Sequence, residues 1–448
     1  MFNATGKDRS SAAANSVEQP QQVPQSVQGV KGLRARFIWL FPVVFITYSL
    51  AYLDRANFGF GAAAGMNATL GISDKQVSLL SSLFFLGYFI FQLPGAALAR
   101  TVGVRRLVTV LLVGWGTCAA LTGVIQSFWL LCVDRVMLGA AESLIFPAML
   151  FLLTNWFTRS ERGRANGLLI LANPVTVLWM SLITGFLIQR FGWQMTFVVE
   201  GLPAVLWAGI WWVVIRDRPT QARWLDQTAA QSLEERLSAE QALVPPVGSV
   251  MEALRRPEVI LLCVQYFCWS LGIYGFVLWL PAIVREGASL SMGRTGLLSG
   301  IPYLVAIGAM ITISTISDRT GRRELVVWPC LLLAAVALFS SFLFDGKSFP
   351  LAFASLVVGG AAMYAPYGPF WAIIPERIPR AVVPEVLTLI NSSGALGGFF
   401  GSYLVGWMRT ITGSSAAGFL LMAIALLCSS VLVMVLPKRR QMAASSVA

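Results

Sequence analysis

The segment FIWLFPVVFITYSLAYLDRANFGF, residues 37–60, decides the fold, because it contains no charged side chain before Asp54. It is long enough for a helix that crosses a bilayer, which needs about 20 predominantly apolar residues. Apolar stretches of this length recur along the whole chain. We find twelve of them, centred near residues 48, 88, 116, 142, 177, 205, 270, 305, 335, 361, 397 and 427. The sequence therefore predicts an all-α integral membrane protein with twelve transmembrane helices.

The composition and the charge distribution indicate the same class. Of the 448 residues, 56% are hydrophobic and only 12% are charged, against about a quarter charged in soluble domains. The net charge of +12 would suggest a nucleic-acid partner in a soluble protein, but its distribution argues against one. Alternate loops and both tails hold 25 of the 33 Lys and Arg residues, whereas the remaining loops hold six. By the positive-inside rule, the basic loops and both termini are predicted to be cytoplasmic, in a multi-pass protein of the inner (plasma) membrane.

The spans fall into two six-helix halves, at residues 37–216 and 257–437, joined by a polar cytoplasmic linker at 217–256. Residues 1–36 and 438–448 are predicted to be cytoplasmic tails. The first tail is predicted to be disordered, since it is polar and lacks the apolar core of a signal peptide. The segment ARTVGVRR follows span 2 and SDRTGRRE follows span 8, the same place in each half. Such pseudo-symmetric halves are typical of transporters that bind their substrate between the halves, near the bilayer midplane.

Spans 1 and 4 carry four ionisable side chains: Asp54, Arg55, Arg135 and Glu142. Neighbouring residues on a helix point about 100° apart, so Asp54 and Arg55 cannot neutralise each other and each needs a partner elsewhere. Arg135 and Glu142 are seven residues apart and therefore share one face of span 4. Four charges in a bilayer oppose insertion by something on the order of 10 kcal/mol, which favours a function in transport. The alternative is that they form ion pairs that only hold spans 1 and 4 together.

The same four residues suggest separate roles in binding a proton and an anion. The chain has no histidine, so a proton that travels with a substrate must be carried by carboxylates. Burial disfavours the ionised form of an acid and a nearby guanidinium favours it, so an acid that gains or loses an arginine partner binds and releases a proton. Asp54 and Glu142 fit this description. Arg55 presents the planar donor fork that suits a substrate carboxylate, and Arg135 either shares that contact or couples to Glu142.

Polar residues in other spans are candidates for binding the substrate. Pro366, Gly368 and Pro369 are expected to interrupt span 10, and irregular backbone at that depth is tolerated where it is buried or lines a cavity. The alternative for the aromatic residues is packing or an interface belt. Asp134 and Glu200 are expected near the membrane interface, with gating as the alternative for Glu200. The candidates are Gln265 and Tyr266 in span 7, Tyr364 and Tyr367 in span 10, and Asn391 and Ser392 in span 11.

Several segments resemble those of a known family. SDRTGRR (317–323) is similar to the cytoplasmic-loop signature of the major facilitator superfamily. YLDRANFGF in span 1, GYFIFQLPG in span 2, RVMLGAAES in span 4 and NWFTRSERGRA after it resemble the anion:cation symporter family within that superfamily. Spans 5, 7 and 10 resemble its bacterial 2-ketogluconate transporters, and the resemblance as a whole covers residues 37–437. The first-half segment ARTVGVRR has no acid before Arg100, so we assign no ion-pair latch there.

The resemblance implies an alternating-access symporter that takes up a sugar-acid anion, such as 2-ketogluconate or a related aldonate or uronate, together with protons. It implies a monomer in the lipid bilayer that needs no cofactor or metal. The roles that it implies fall on Asp54, Glu142 and Arg135 for proton coupling, on Arg55, Tyr88 and Asn391 for the substrate, and on Asp318, Arg319, Gly321, Arg322 and Arg323 for a gating loop.

Other functions are compatible with a chain of this kind. A pH-independent organic-anion exchanger would keep the arginines but need no titrating acid. A proton-driven exporter of amphipathic drugs would be expected to favour an acidic, aromatic cavity over two arginines, and a receptor would bind without net flux. A membrane-embedded enzyme is disfavoured, because the sequence has no histidine, no cysteine spacing typical of a metal site and no appended catalytic domain.

Overall fold

The computed structural model of the protein describes residues 34–242, 254–378, 382–413 and 416–436. All regular structure within these ranges is helical. The predicted tail at 438–448, most of the tail at 1–36 and residues 243–253 of the linker lie outside the described residues.

The described residues contain twelve helices long enough to cross a membrane, as the sequence predicts. Nine stretches in the described ranges are long and apolar enough to span a bilayer, and the longest, Glu161–Val214, holds two helices. Two further long helices, Asp74–Val102 and Val383–Thr412, complete the set. In chain order the helices are α1 (Phe41–Ala63), α2 (Asp74–Val102), α3 (Val104–Thr122), α4 (Phe128–Ser143 and Ile145–Trp156), α5 and α6 (the two parts of Arg159–Val214), α7 (Pro257–Ala288), α8 (Met292–Thr320), α9 (Glu324–Phe344), α10 (Phe349–Tyr364 and Tyr367–Arg377), α11 (Val383–Thr412) and α12 (Ala416–Val435).

Two breaks shape the first half. Gly192 has a φ of 78°, a left-handed conformation that glycine adopts without steric cost, and it divides α5 from α6. Pro147 has no N–H with which to bond the Ser143 carbonyl, and the first segment of α4 ends at Ser143. The second break therefore places Glu142 at a helix end near the middle of its span.

The interruption predicted in span 10 is confirmed. The helix stops at Tyr364 and begins again at Tyr367, on either side of Pro366. Trp269 of α7 donates its indole N–H to the Met363 carbonyl at 3.0 Å, which satisfies a backbone acceptor next to the break. The break is thus buried in protein, as irregular backbone within a membrane must be.

The loops lie at two ends of the bundle, which we call the linker side and the far side. The linker side holds the linker helix, Gln227–Ala242, and the α8–α9 loop, while the far side holds the α1–α2 and α7–α8 loops. The linker docks on the first half through Trp224, whose ring stacks on Trp156 of α4 with centroids 5.1 Å apart.

The two halves meet closely on the far side. Gly59 of α1 lies so near α7 that a Cβ on it would sit 2.3 Å from the Leu278 carbonyl oxygen. A Cβ on Gly296 of α8 would sit 2.2 Å from the Ser181 carbonyl oxygen of α5. Glycine permits these backbone contacts between helices of different halves, and they close the far side.

Polar contacts reinforce this closure. Arg409 of α11 lies with its Nε 3.8 Å from Asp74 Oδ2 of α2, and it also donates a hydrogen bond to Glu286 of α7. Arg285, next to Glu286, donates to the Ala63 carbonyl at the end of α1. Two arginines of the second half therefore bind acceptors of the first half at the far side.

We expect Arg409→Gln to loosen the closed far side. The pair with Asp74 is partly exposed, and such pairs contribute about 0.2–1 kcal/mol, so the far-side-open population should rise roughly two- to fivefold. The measurement is the rate at which a membrane-impermeant thiol reagent modifies a cysteine placed at Ser78, which is buried between α2 and α11. The control is Lys75→Gln, which removes the cation next to Asp74 on α2. An unchanged rate in Arg409→Gln would contradict the assignment.

Candidate functional site

An ion pair between α1 and α4 lies at the centre of the site. Arg55 Nε donates to Glu142 Oε2 at 2.9 Å, and the exposed fractions of the two side chains are 6% and 0%. Arg55 therefore has its partner on another helix, as its position next to Asp54 requires. The other carboxylate oxygen of Glu142, Oε1, has no hydrogen-bond partner among the described residues, so this acid is only half satisfied.

Aromatic rings surround the guanidinium of Arg55. Its Cζ lies 4.6 Å from the ring centroid of Tyr88 on α2, and 5.5 Å from those of Tyr52 and Phe84. Ring faces attract a cation without neutralising it. The resemblance placed Tyr88 in the substrate site, and the structure brings it next to Arg55.

The second acid and the second arginine are also buried, and neither forms an ion pair among the described residues. Asp54 is 3% exposed and Arg135 is 1% exposed. In the described part of the chain, Asp54 Oδ1 and the Nε and Nη1 of Arg135 have no hydrogen-bond partner. The Arg135 guanidinium instead lies 4.4 Å from the ring centroid of Phe58. Unpaired buried groups of this kind are costly, so they are natural places for a ligand or a proton.

The structure corrects two expectations about the membrane interface. Asp134 is buried on α4 and accepts a hydrogen bond from Thr122 Oγ1 of α3 at 2.7 Å. Glu200 is buried on α6 and accepts from Asn57 Nδ2 of α1 at 3.0 Å and from Thr184 Oγ1 of α5. Both acids face neighbouring helices, so the expectation that they lie near the interface is wrong.

The second half contributes tyrosines to the same region. The hydroxyl groups of Tyr52 on α1 and Tyr364 on α10 lie 3.3 Å apart, which is a direct contact between the halves. The rings of Tyr364 and Tyr367 stack with centroids 5.7 Å apart, and Tyr266 stacks on Phe370 at 5.3 Å. The candidates Tyr266, Tyr364 and Tyr367 thus come together around the break in α10.

Most tyrosines of the chain belong to one network that includes Arg55 and is built from ring contacts and the hydrogen bond between the Tyr52 and Tyr364 hydroxyl groups. Of nine tyrosines, eight belong to it, and two of them, Tyr52 and Tyr88, contact Arg55 directly. They are Tyr48, Tyr52, Tyr88, Tyr266, Tyr274, Tyr303, Tyr364 and Tyr367.

Three further candidates have different surroundings. Gln265 donates its amide to Ser429 Oγ of α12 at 2.8 Å, so it points away from the helices that carry the ion pair. Ser392 of α11 donates to Gln92 Oε1 of α2 at 2.9 Å, which is another contact between the halves. Asn391 is partly exposed, and its Nδ2 has no hydrogen-bond partner among the residues described.

The sequence reasoning missed Tyr52 and Gln92. Tyr52 lies three residues before Arg55, which places it on the same face of α1 one turn away. Gln92 is an uncharged polar residue in the otherwise apolar GYFIFQLPG. Both signals are present in the sequence, and helical spacing from Arg55 would have identified Tyr52.

The predicted gating loop forms ion pairs on the linker side. Arg323 pairs with Asp318, and its Nε lies 3.2 Å from Glu376 Oε1 at the end of α10. Burial lowers the pKa of Arg323, but the hydrogen bonds to both carboxylates outweigh it and leave that pKa raised. Gly321 ends α8 with a φ of 64°. The remaining two loop residues, Arg319 and Arg322, are exposed.

Comparison with known proteins gives three relevant matches. The family described as Major Facilitator Superfamily matches residues 44–402. A putative tartrate transporter of Agrobacterium vitis is 31% identical over 407 residues, which is 89% of this chain and 90% of that protein. A quinolone resistance transporter of Acinetobacter baumannii is 33% identical over 404 residues, 88% of this chain and 92% of that protein.

A solved structure shares the fold. The inward open conformation of the xylose transporter XylE from E. coli matches with a TM-score of 0.71 at 15% identity, over 91% of this chain and 98% of that one.

Proposed function

Because the chain belongs to the Major Facilitator Superfamily and is a membrane transporter rather than an enzyme, we propose that it takes up a sugar-acid anion together with protons. The proposed substrates are 2-ketogluconate and related aldonates or uronates. The observation that carries the proposal is the buried Arg55–Glu142 ion pair, with Asp54 and Arg135 beside it, neither of which forms an ion pair with another described residue.

Substrate and proton bind opposite members of the same ion pair. The substrate carboxylate binds the guanidinium of Arg55. The Nε of the same guanidinium donates to Glu142. Once the substrate holds Arg55, Glu142 is a buried carboxylate without its cation, which is unfavourable by several kcal/mol. A proton on Glu142 removes that cost. Binding of substrate and binding of a proton therefore favour each other, as reciprocal coupling requires.

The charge balance of the site leads to the same conclusion. Two acids, Asp54 and Glu142, and two arginines, Arg55 and Arg135, sum to zero charge. A bound anion adds one negative charge in a region of low dielectric, and one proton restores neutrality. We assign Arg135 to this balance rather than to direct contact, since it lies against Phe58.

The hydroxyl groups of the substrate need their own partners. Tyr88 lies beside Arg55, and Tyr266, Tyr364 and Tyr367 cluster at the α10 break. Asn391 and Ser392 on α11 add an amide and a hydroxyl. A polyhydroxylated acid matches such a set of donors, whereas Gln265 is left out because its amide binds Ser429.

We propose that the linker side faces the cytoplasm of an inner membrane, with both termini there, and that a single chain is the transporting unit. The closed far side, together with the gating loop on the linker side, then corresponds to the inward-facing half of an alternating-access cycle. The relative named as a putative tartrate transporter supports a hydroxy-acid substrate.

Export of an amphipathic drug is the second candidate function. The relative named as a quinolone resistance transporter and the aromatic walls around Arg55 favour it. An exporter would exchange protons for an aromatic compound, so protons and substrate would move in opposite directions. Norfloxacin accumulation driven by a proton gradient in inverted vesicles would favour export over uptake of a sugar acid.

A binding panel tests the proposed substrate class. Aldonates, ketoaldonates and uronates are titrated into the purified protein by calorimetry, and the alditols of the same chain length serve as controls without a carboxylate. We expect binding of the acids and at least about 30-fold weaker binding of the alditols, because the charge-assisted contact with Arg55 is absent. Equal affinity for acid and alditol would contradict the role of Arg55.

A further inference from the structure

A buried polar cluster lies next to the proposed site. Glu200 of α6 accepts hydrogen bonds from Asn57 Nδ2 of α1, at 3.0 Å, and from Thr184 Oγ1 of α5. The exposed fractions of the three residues are 7%, 1% and 1%. Three helices of the first half thus converge on one carboxylate.

This carboxylate has hydrogen-bond donors but no cation. Within the described ranges, no arginine or lysine makes an ion pair with Glu200. Residues 165–189 of α5 contain no acid or base, and Glu200 is the one ionisable residue in 193–214 of α6. A buried carboxylate without a cation is costly in the charged form, so Glu200 has a physical reason to bind a proton.

Two of the other helices that pack here each place an ionisable group near the cluster. α3, which lies against Gly201, contributes the Cys118 thiol. α1 contributes Asp54, which lies three residues before Asn57 and so on the same face one turn away. Asp54 is therefore the one carboxyl that α1 places beside the cluster.

Asn57 connects the two acids. Its Nδ2 binds Glu200, while its Oδ1 has no hydrogen-bond partner among the described residues, and the same holds for Asp54 Oδ1. Both oxygens are hydrogen-bond acceptors on one face of α1, and when Asp54 is ionised neither carries a hydrogen that the other could accept. A proton on Asp54 supplies one, because a protonated carboxyl is a donor that the Asn57 oxygen can accept.

Glu200 and Asp54 lie at a similar distance from the far side. Counted from the far-side ends of their helices at 1.5 Å per residue, Glu200 lies about 12 Å inside, Asp54 about 14 Å and Glu142 about 21 Å. Glu200 and Asp54 therefore lie at about the same depth on neighbouring helices.

We infer that Glu200 is a third proton-binding carboxyl, which Asn57 holds next to Asp54 by binding Glu200 through its Nδ2. The inference rests on the proposed function, since it adds a carboxyl to the proton path, but its test is partly independent of the substrate.

Glu200→Gln tests it with two readouts. The first is infrared difference spectroscopy of the purified protein between alkaline and acidic buffer, which detects protonated carboxyl groups without any substrate. The second is uptake of 2-ketogluconate into liposomes on an imposed proton gradient, compared with counterflow without one. Thr196→Val is the matched control, because it removes a buried hydroxyl of α6 that binds only the Gly192 carbonyl. Glu200→Asp keeps the carboxyl.

We expect Glu200→Gln to lose part of the carboxyl band and to lower proton-driven uptake at least about tenfold, with counterflow retained. Thr196→Val should match the wild type, and Glu200→Asp should recover most of the uptake. An unchanged band, or unchanged proton-driven uptake, in Glu200→Gln overturns the inference. If the wild type itself shows no proton-driven uptake, the proposed function fails, and the infrared readout still decides whether Glu200 binds a proton.

Discussion

Arg55→Gln is expected to lower the affinity for 2-ketogluconate by roughly 30-fold or more. Removing one partner of a buried, hydrogen-bonded charge pair costs about 2–5 kcal/mol; here the guanidinium of Arg55 is removed and the substrate carboxylate is left without it. The substitution also leaves Glu142 buried without its cation, since Arg55 Nε is the donor to its Oε2. Calorimetric titration of the purified variant measures the change directly.

Two further variants separate the charge of Arg55 from its shape. Arg55→Lys keeps the charge but loses the planar fork and its packing on Tyr88, so it should bind with intermediate affinity. Arg223→Gln removes an exposed arginine of the linker and should bind as the wild type does. Wild-type affinity in Arg55→Gln would exclude contact between Arg55 and the substrate carboxylate.

Glu142→Gln and Asp54→Asn are expected to uncouple substrate movement from the proton gradient. One pH unit supplies about 1.4 kcal/mol per proton, which supports a roughly tenfold concentration ratio of the substrate. Without a titrating carboxyl, the ratio should fall to about one, because the amide can neither bind nor release the proton. Accumulation of labelled 2-ketogluconate in liposomes with an imposed pH gradient is the measurement.

The matched control for this pair is Asp134→Asn. Asp134 is likewise a buried acid of α4, but it is bound by Thr122 of α3 and is no part of the ion pair. We expect it to accumulate substrate normally. Counterflow without a pH gradient should persist in all three variants. If Glu142→Gln and Asp54→Asn both still accumulate substrate, neither acid carries the coupled proton.

The fold was largely predictable from local sequence. Runs of about 20 apolar residues define the spans, and Pro366 between two tyrosines marks the break in α10. Part of the site was predictable as well. Arg55 and Asp54 are neighbours on one helix and cannot pair with each other, so the partner of Arg55 must lie on another helix. That its partner is Glu142 depends on how α1 and α4 pack.

Other parts of the site depend on tertiary packing that a single sequence does not encode locally. Asp134 and Glu200 lie towards the ends of their spans, where an acid can reach the interface. The packing of the helices instead places each acid against a donor inside the bundle: Thr122 binds Asp134, and Asn57 binds Glu200. Gln265 is the opposite case: the sequence suggests that it lines the cavity, but its amide binds Ser429 of α12.

The account's central claim is that sugar-acid anions and protons move together in one direction. The most direct measurement is the external pH of a weakly buffered suspension of proteoliposomes after addition of 2-ketogluconate, with no gradient imposed. We predict a rise in external pH that is absent in Glu142→Gln. Entry of the labelled substrate without any change in external pH would contradict the claim.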